Sequence, residues 1–201
     1  MNVLLKSISY IFHPLLMPVL GVVFYFHKTP RYTPEPLVYA KVFSICILTV
    51  ILPILLYFLL KTIKKVESIH LETTTERRLP LLINCILVLL IINRVLPIEE
   101  IPELYYFFLG ILISTISCLA LALIKFKASI HMIGAAGFFM FAIALSIHFQ
   151  ININGTIALM CIIIGAIATS RLHLKAHTGL ELTIGFFVGL LPQLIMLKEW
   201  I

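Results

Sequence analysis

Apolar residues in this chain fall into long unbroken runs separated by short polar punctuation, rather than alternating as in a half-buried strand or following a narrow helical stripe. Runs of about 17 to 25 residues match the hydrocarbon thickness of a bilayer when coiled as helices. The pattern predicts seven helices, at roughly 8 to 27, 39 to 62, 81 to 97, 105 to 124, 131 to 149, 155 to 170 and 177 to 197. A membrane β-barrel would show alternating strands of about ten residues, whereas stretches such as Cys161 to Ala168 are continuously apolar. The expectation is an all-α, polytopic transmembrane bundle of six or seven helices, forming a single domain over residues 1–201.

The connections are short, and Pro30, Pro34 and Pro36 fix the segment after Lys28 as a loop. Three connections hold charged groups that are costly near a membrane. The first runs from Lys61 to Pro80 and contains Lys64, Lys65, Glu67, Glu72, Glu76, Arg77 and Arg78. The second is Lys125 to His131, and the third is Ser170 to Glu181. Two helices separate each of these from the next, and an even number of crossings returns the chain to the same face. All three are therefore expected to meet at one end of the bundle. The other end holds Lys28 to Glu35, then Glu99, Glu100 and Glu103, the uncharged Ile151 to Gly155, and Lys198 with Glu199.

Composition agrees with a membrane solvent: 61% of residues are hydrophobic and 12% charged, with a net charge of +6. In a soluble chain that charge would suggest nucleic acid, but here it belongs to membrane edges and anionic headgroups, so no nucleic-acid partner is expected. Cys46, Cys85, Cys118 and Cys161 lie singly in apolar runs without metal or redox spacing and read as packing residues. The first apolar run lacks a small-residue cleavage site and carries His13, Pro14 and Pro18, so it reads as a retained helix. A multi-pass protein of a bacterial inner membrane is expected.

The converging connections suit an anion. Guanidinium forks match phosphate oxygens in pairs, and Arg78, Arg171, Arg77 and Lys127 supply fixed positive charge. His131 and His177 each open a predicted helix, where free backbone N–H groups also favour anions. Glu181 lies one helical turn after His177, placed to accept a ring N–H and fix the imidazole's tautomer.

Ser170-Arg171, five residues, His177, three residues and Glu181 resembles the third signature of the type 2 phosphatidic acid phosphatase superfamily, which ends in Asp. Ser129-Ile130-His131 resembles its second signature, Pro-Ser-Gly-His, and Arg77-Arg78-Leu79-Pro80 resembles the end of the first, a lysine, six residues, then Arg-Pro. The resemblance covers roughly residues 61–190. The chain departs from it at Ala128 and Ile130, at Leu79 between Arg78 and Pro80, and at His70 and Leu71, which stand where the first lysine would be.

The resemblance implies a lipid phosphatase working without a metal or other cofactor. His177 would be the nucleophile, Glu181 its orienting carboxylate and His131 the general acid and base. Arg171, Arg78, Ser129, Arg77, Ser170 and Lys127 would hold the phosphate, with Arg78 expected to matter more than Arg77. The expected partners are a lipid phosphate substrate (phosphatidic acid, phosphatidylglycerol phosphate, or an isoprenoid phosphate or diphosphate) and membrane lipids. Two alternatives stay open: an inactive lipid-binding relative of the same fold, and an anion or lipid transporter. His13, His27, His70, His148 and His173 read as structural, and Gly134, Gly137, Gly165, Gly185 and Gly189 as close-packing points. The motif-bearing end carries Lys6, Lys61, Lys64, Lys65, Arg77, Arg78, Lys125, Lys127, Arg171 and Lys175, a basic balance that leans toward the cytoplasm, whereas the resemblance implies a site on the outer or lumenal side, so the side of the membrane stays open.

Overall fold

The structure, a computed structural model, describes residues 2–66 and 73–201. Among them all regular structure is helical: α1 (Asn2–Ile11), α2 (Met17–Lys28), α3 (Glu35–Cys46), α4 (Leu52–Thr62), α5 (Thr74–Arg94), α6 (Pro102–Leu123), α7 (Ile130–Phe149), α8 (Asn154–His173) and α9 (Gly179–Met196). Six segments are long and apolar enough to cross a membrane: Ser7–Lys28, Glu35–Thr62, Pro102–Leu123, Ile130–Phe149, Asn154–His173 and Gly179–Glu199. The protein is an all-α, multi-pass helical bundle.

Local chemistry explains where the helices begin and bend. His13 accepts the Leu15 N–H at 3.3 Å, and Pro14 opens a single 3₁₀ turn, so the first run is broken into α1 and α2. Pro53 lacks an N–H, and the turn before it, Ile47–Ile51, widens into a π-helix that joins α3 to α4. Thr73 and Glu76 form a capping box that starts α5 well before the expected residue 81. Arg77 and Arg78 are thereby helical rather than part of a loop. Helix α5 runs between the two ends of the bundle as the expected third helix should, but Glu76, Arg77, Arg78 and Arg94 leave it less apolar than the six spans.

Helix α7 is the centre of the bundle. Phe107 of α6 stacks on its Phe141 with ring centroids 4.1 Å apart, and Phe24 of α2 meets its Phe138 edge-on. Close approach to α9 depends on two glycines. A Cβ on Gly189 would collide with the Ile133 carbonyl, and one on Gly185 would lie 2.8 Å from the Ser129 carbonyl. Gly134 similarly admits Met17, whereas Gly165 faces open space and is no packing point. Cys85 and Cys118 are buried, but Cys161 is exposed, which corrects its reading as a packing residue.

The end away from the motifs is tied by ion pairs. Lys41 bonds Glu100 at 2.6 Å and the Val95 carbonyl at 2.8 Å. Glu103, fully buried, takes Arg31 at 3.0 Å and the Tyr25 hydroxyl at 3.1 Å, with His148 at 3.5 Å. A carboxylate removed from water requires such partners.

Candidate functional site

The three motif-bearing connections do meet. Arg77, buried at the start of α5, donates from Nη1 to the Ala128 carbonyl at 2.8 Å. The Ser129 N–H donates to the Glu181 carbonyl at 3.1 Å, and Lys127 Nζ donates to the Ala176 carbonyl at 3.2 Å. These bonds lace the segment before α7 to the starts of α5 and α9. They follow from the tight α7–α9 crossing at Gly185 and Gly189, which brings Ser129 against the first turn of α9.

His177 lies one residue before Thr178, the N-cap of α9, and so precedes the helix instead of opening it. Its Nδ1 donates to Glu181 Oε2 at 3.0 Å, which fixes the tautomer and leaves Nε2 as the basic nitrogen. The same carboxylate oxygen accepts the Thr178 N–H at 2.9 Å, closing the capping box that anchors it. Burial, and next the positive charge of Arg77, lower the basicity of His177, while the hydrogen bond to Glu181 opposes them. The imidazole is thus held neutral at neutral pH, the form a nucleophile requires.

His131 occupies the first turn of α7, and its Nε2 donates to the Ser9 carbonyl at 3.1 Å. Arg171 is buried near the end of α8, with Nη1 3.5 Å from Ser9 Oγ and its Nε unpartnered. No carboxylate among the described residues forms an ion pair with it. Ser129 Oγ is likewise buried and without a partner. Ser170 turns toward α1, meeting Ser9 Oγ at 2.9 Å and donating to the Leu5 carbonyl at 2.6 Å. On the water-facing side, Lys127, Lys175, His177, Thr178 and Glu181 line a shallow cavity of about 410 Å³.

Arg78 is the correction. Its Nη2 reaches the Ala122 and Leu123 carbonyls, both at 3.4 Å, where it caps the C-terminal end of α6. Arg77 is the arginine of the pair that bonds to the segment before α7, whereas Arg78 bonds to the end of α6 and keeps its buried Nε without a hydrogen-bond partner. Two members escaped the sequence reading. Ser9 lies in the site through α1, and the His13 ring stands edge-on to His131 with centroids 5.6 Å apart. The interrupted first run, with its His-Pro step, was the available signal for both. The positions matched to the first lysine, His70 and Leu71, lie outside the described residues, as do Glu67 and Glu72.

Among the described residues no three His, Cys, Asp or Glu side chains gather as a metal set. A scan against models of known families, a search of curated proteins and a search of solved structures each found no match to this chain.

Proposed function

We propose that the cluster is the centre of a metal-independent lipid phosphatase of a bacterial inner membrane, similar in motif to the type 2 phosphatidic acid phosphatases. Its substrate is a lipid phosphate monoester or an isoprenoid phosphate or diphosphate. The observation that carries this reading is a convergence: the His177–Glu181 pair lies beside Arg77 and Arg171, with Arg171 Nε and Ser129 Oγ buried and lacking partners. Buried donors left open cost about 1–3 kcal/mol each, and a bound phosphate would remove that cost.

In this reading His177 Nε2 attacks phosphorus and the bond to the lipid-side oxygen breaks. His131, entering the step as the imidazolium, gives that oxygen its Nε2 proton and is left as the neutral base. Water, deprotonated by His131, then cleaves the phosphohistidine and releases inorganic phosphate. Arg77, Arg171 and Ser129 hold the three equatorial oxygens, where charge gathers during transfer. Glu181 stabilises the charge that develops on His177.

A second reading, binding of a lipid phosphate without turnover, is favoured by one observation: His131 Nε2 is engaged by the Ser9 carbonyl. Purified protein in proteoliposomes, offered phosphatidic acid, phosphatidylglycerol phosphate and an isoprenoid diphosphate, separates the two. Phosphate release that is lost in His177→Ala supports the enzyme. Saturable lipid binding with no release by the wild type would leave the binding reading.

A further inference from the structure

Helix α1 covers the junction of α7 and α8, directly over the cluster. It is held there by apolar contact of Ile8 and Phe12 with a buried group that includes Met132, Ala135, Ile167 and Leu182. Its opposite face is open, with Tyr10 and Ile11 each 62% exposed. The chain breaks at its C-terminal end, where Pro14 prevents the helix from continuing and a 3₁₀ turn leads into α2. Helix α1 is ten residues long, with one packed face and a proline-led turn at its C-terminal end.

What α1 inserts into the cluster is oxygen. The Ser170 hydroxyl has one proton, which it donates to the Leu5 carbonyl, so the Ser9 hydroxyl donates to Ser170 Oγ and accepts from Arg171. The Ser9 carbonyl accepts from His131 Nε2. Ser9 thus offers two uncharged oxygens to an arginine and a histidine, where an anion would offer charged ones. The match is imperfect, because the Arg171 contact is long at 3.5 Å and Arg171 Nε and Ser129 Oγ remain open.

We propose that α1 is a lateral gate whose Ser9 oxygens stand in for phosphate oxygens, and that a tetrahedral oxyanion entering the cluster displaces it. The proposal rests on the phosphate reading of the site. Charge-assisted hydrogen bonds are about twice as strong as neutral ones, so an oxyanion outcompetes the hydroxyl and carbonyl of Ser9 for the same donors. Displacement frees the His131 proton for transfer. It also opens the cluster sideways at the α7–α8 junction, on the membrane side, while the cavity at Lys127 and Lys175 stays open to water. A lipid then enters past α1, and water and inorganic phosphate exchange through the cavity.

The test uses the full-length protein in lipid nanodiscs. In a Cys46→Ser, Cys161→Ser background, with Cys85 and Cys118 buried, nitroxide labels at Tyr10→Cys on α1 and Ile162→Cys on α8 report their separation by electron paramagnetic resonance. Orthovanadate and dioleoyl phosphatidate are added in separate arms. A longer separation with vanadate identifies the bare oxyanion as the trigger; a change with phosphatidate alone identifies the lipid headgroup. In parallel, Ser9→Ala removes the internal competitor's hydroxyl and is expected to tighten vanadate binding about three- to tenfold. A separation unchanged by bound vanadate and phosphatidate, or weaker vanadate binding in Ser9→Ala, overturns the gate. If neither protein binds vanadate or releases phosphate, the phosphatase reading itself falls; turnover by the wild type with an unmoving α1 removes only the gate.

Discussion

Glu181 Oε2 holds His177 Nδ1 at 3.0 Å and the Thr178 N–H at 2.9 Å, so one carboxylate both starts α9 and orients the imidazole. A carboxylate anchored by a helix cap loses little further freedom when it positions a second group. This arrangement bears on which substitutions will separate folding from chemistry.

His177→Ala is expected to abolish any phosphoenzyme, since it removes the atom bonded to phosphorus. His131→Ala should still trap acid-labile, base-stable phosphate from a substrate with a low-pKa leaving group, which needs little protonation. Glu181→Gln keeps an acceptor but loses the charge, and should fall between them. Radiolabel retained on denatured protein is the measurement; labelled His177→Ala would sink the covalent mechanism.

Arg77→Ala is expected to lower kcat/KM by roughly a hundredfold or more, the scale of removing one donor to transition-state charge. Arg78→Ala removes only the caps on Ala122 and Leu123, and should cost about 1 kcal/mol of stability with kcat/KM within about threefold of wild type. Equal losses of activity in the two variants would contradict the orientation of α5. Steady-state kinetics beside thermal unfolding in detergent gives both quantities.

The lowered basicity of His177 sets a pH dependence. Its folded value lies below the ordinary 6.5, so the folded state disfavours the proton. Its contribution to stability is full above the unfolded value and is lost as pH falls toward the folded one. The acid limb of kcat/KM should therefore lie below pH 6.5, and it should move up in Arg77→Ala, which removes the positive charge nearest in effect after burial. An acid limb unmoved by that change would mean that Arg77 does not face His177.

Gly189→Ala would force α9 away from the Ile133 carbonyl of α7. Overpacking of this kind costs roughly 1–3 kcal/mol, and it should also separate Ser129 from the Glu181 carbonyl. Melting temperature and activity should fall together. Gly165→Ala, with open space around it, should change neither and serves as the control.

Much of the architecture was legible because long apolar runs have few alternatives in a bilayer. The helix expected at 131 to 149 and the observed α7 share the end Phe149 and differ by one residue at the start, and the even count of helices correctly placed Arg77, Ser129 and His177 at one end. Boundaries failed where local hydrogen bonding overrode hydropathy. The Thr73–Glu76 capping box extended α5 backward by seven residues from 81 to Thr74. Lys64, Lys125, Gln150 and Lys175 end α4, α6, α7 and α8 in left-handed conformations, a role for which glycine would have been the usual sign.

Within the candidate site, sequence spacing determined what lies one helical turn apart: the pairing of His177 with Glu181 follows from the pitch of a helix and would hold in any helical fold. It also determined that the three charged connections share an end, since crossing parity depends only on the number of spans. Tertiary structure alone decided that Arg77, and not its neighbour Arg78, faces the cluster, because that depends on the rotation of α5 about its own axis. It alone brought Ser9 against His131, a contact across 122 residues that no local pattern encodes. Spacing fixes neighbours along one helix, whereas the rotation and docking of separate helices are set by packing, here by glycines that let α9 lie against α7.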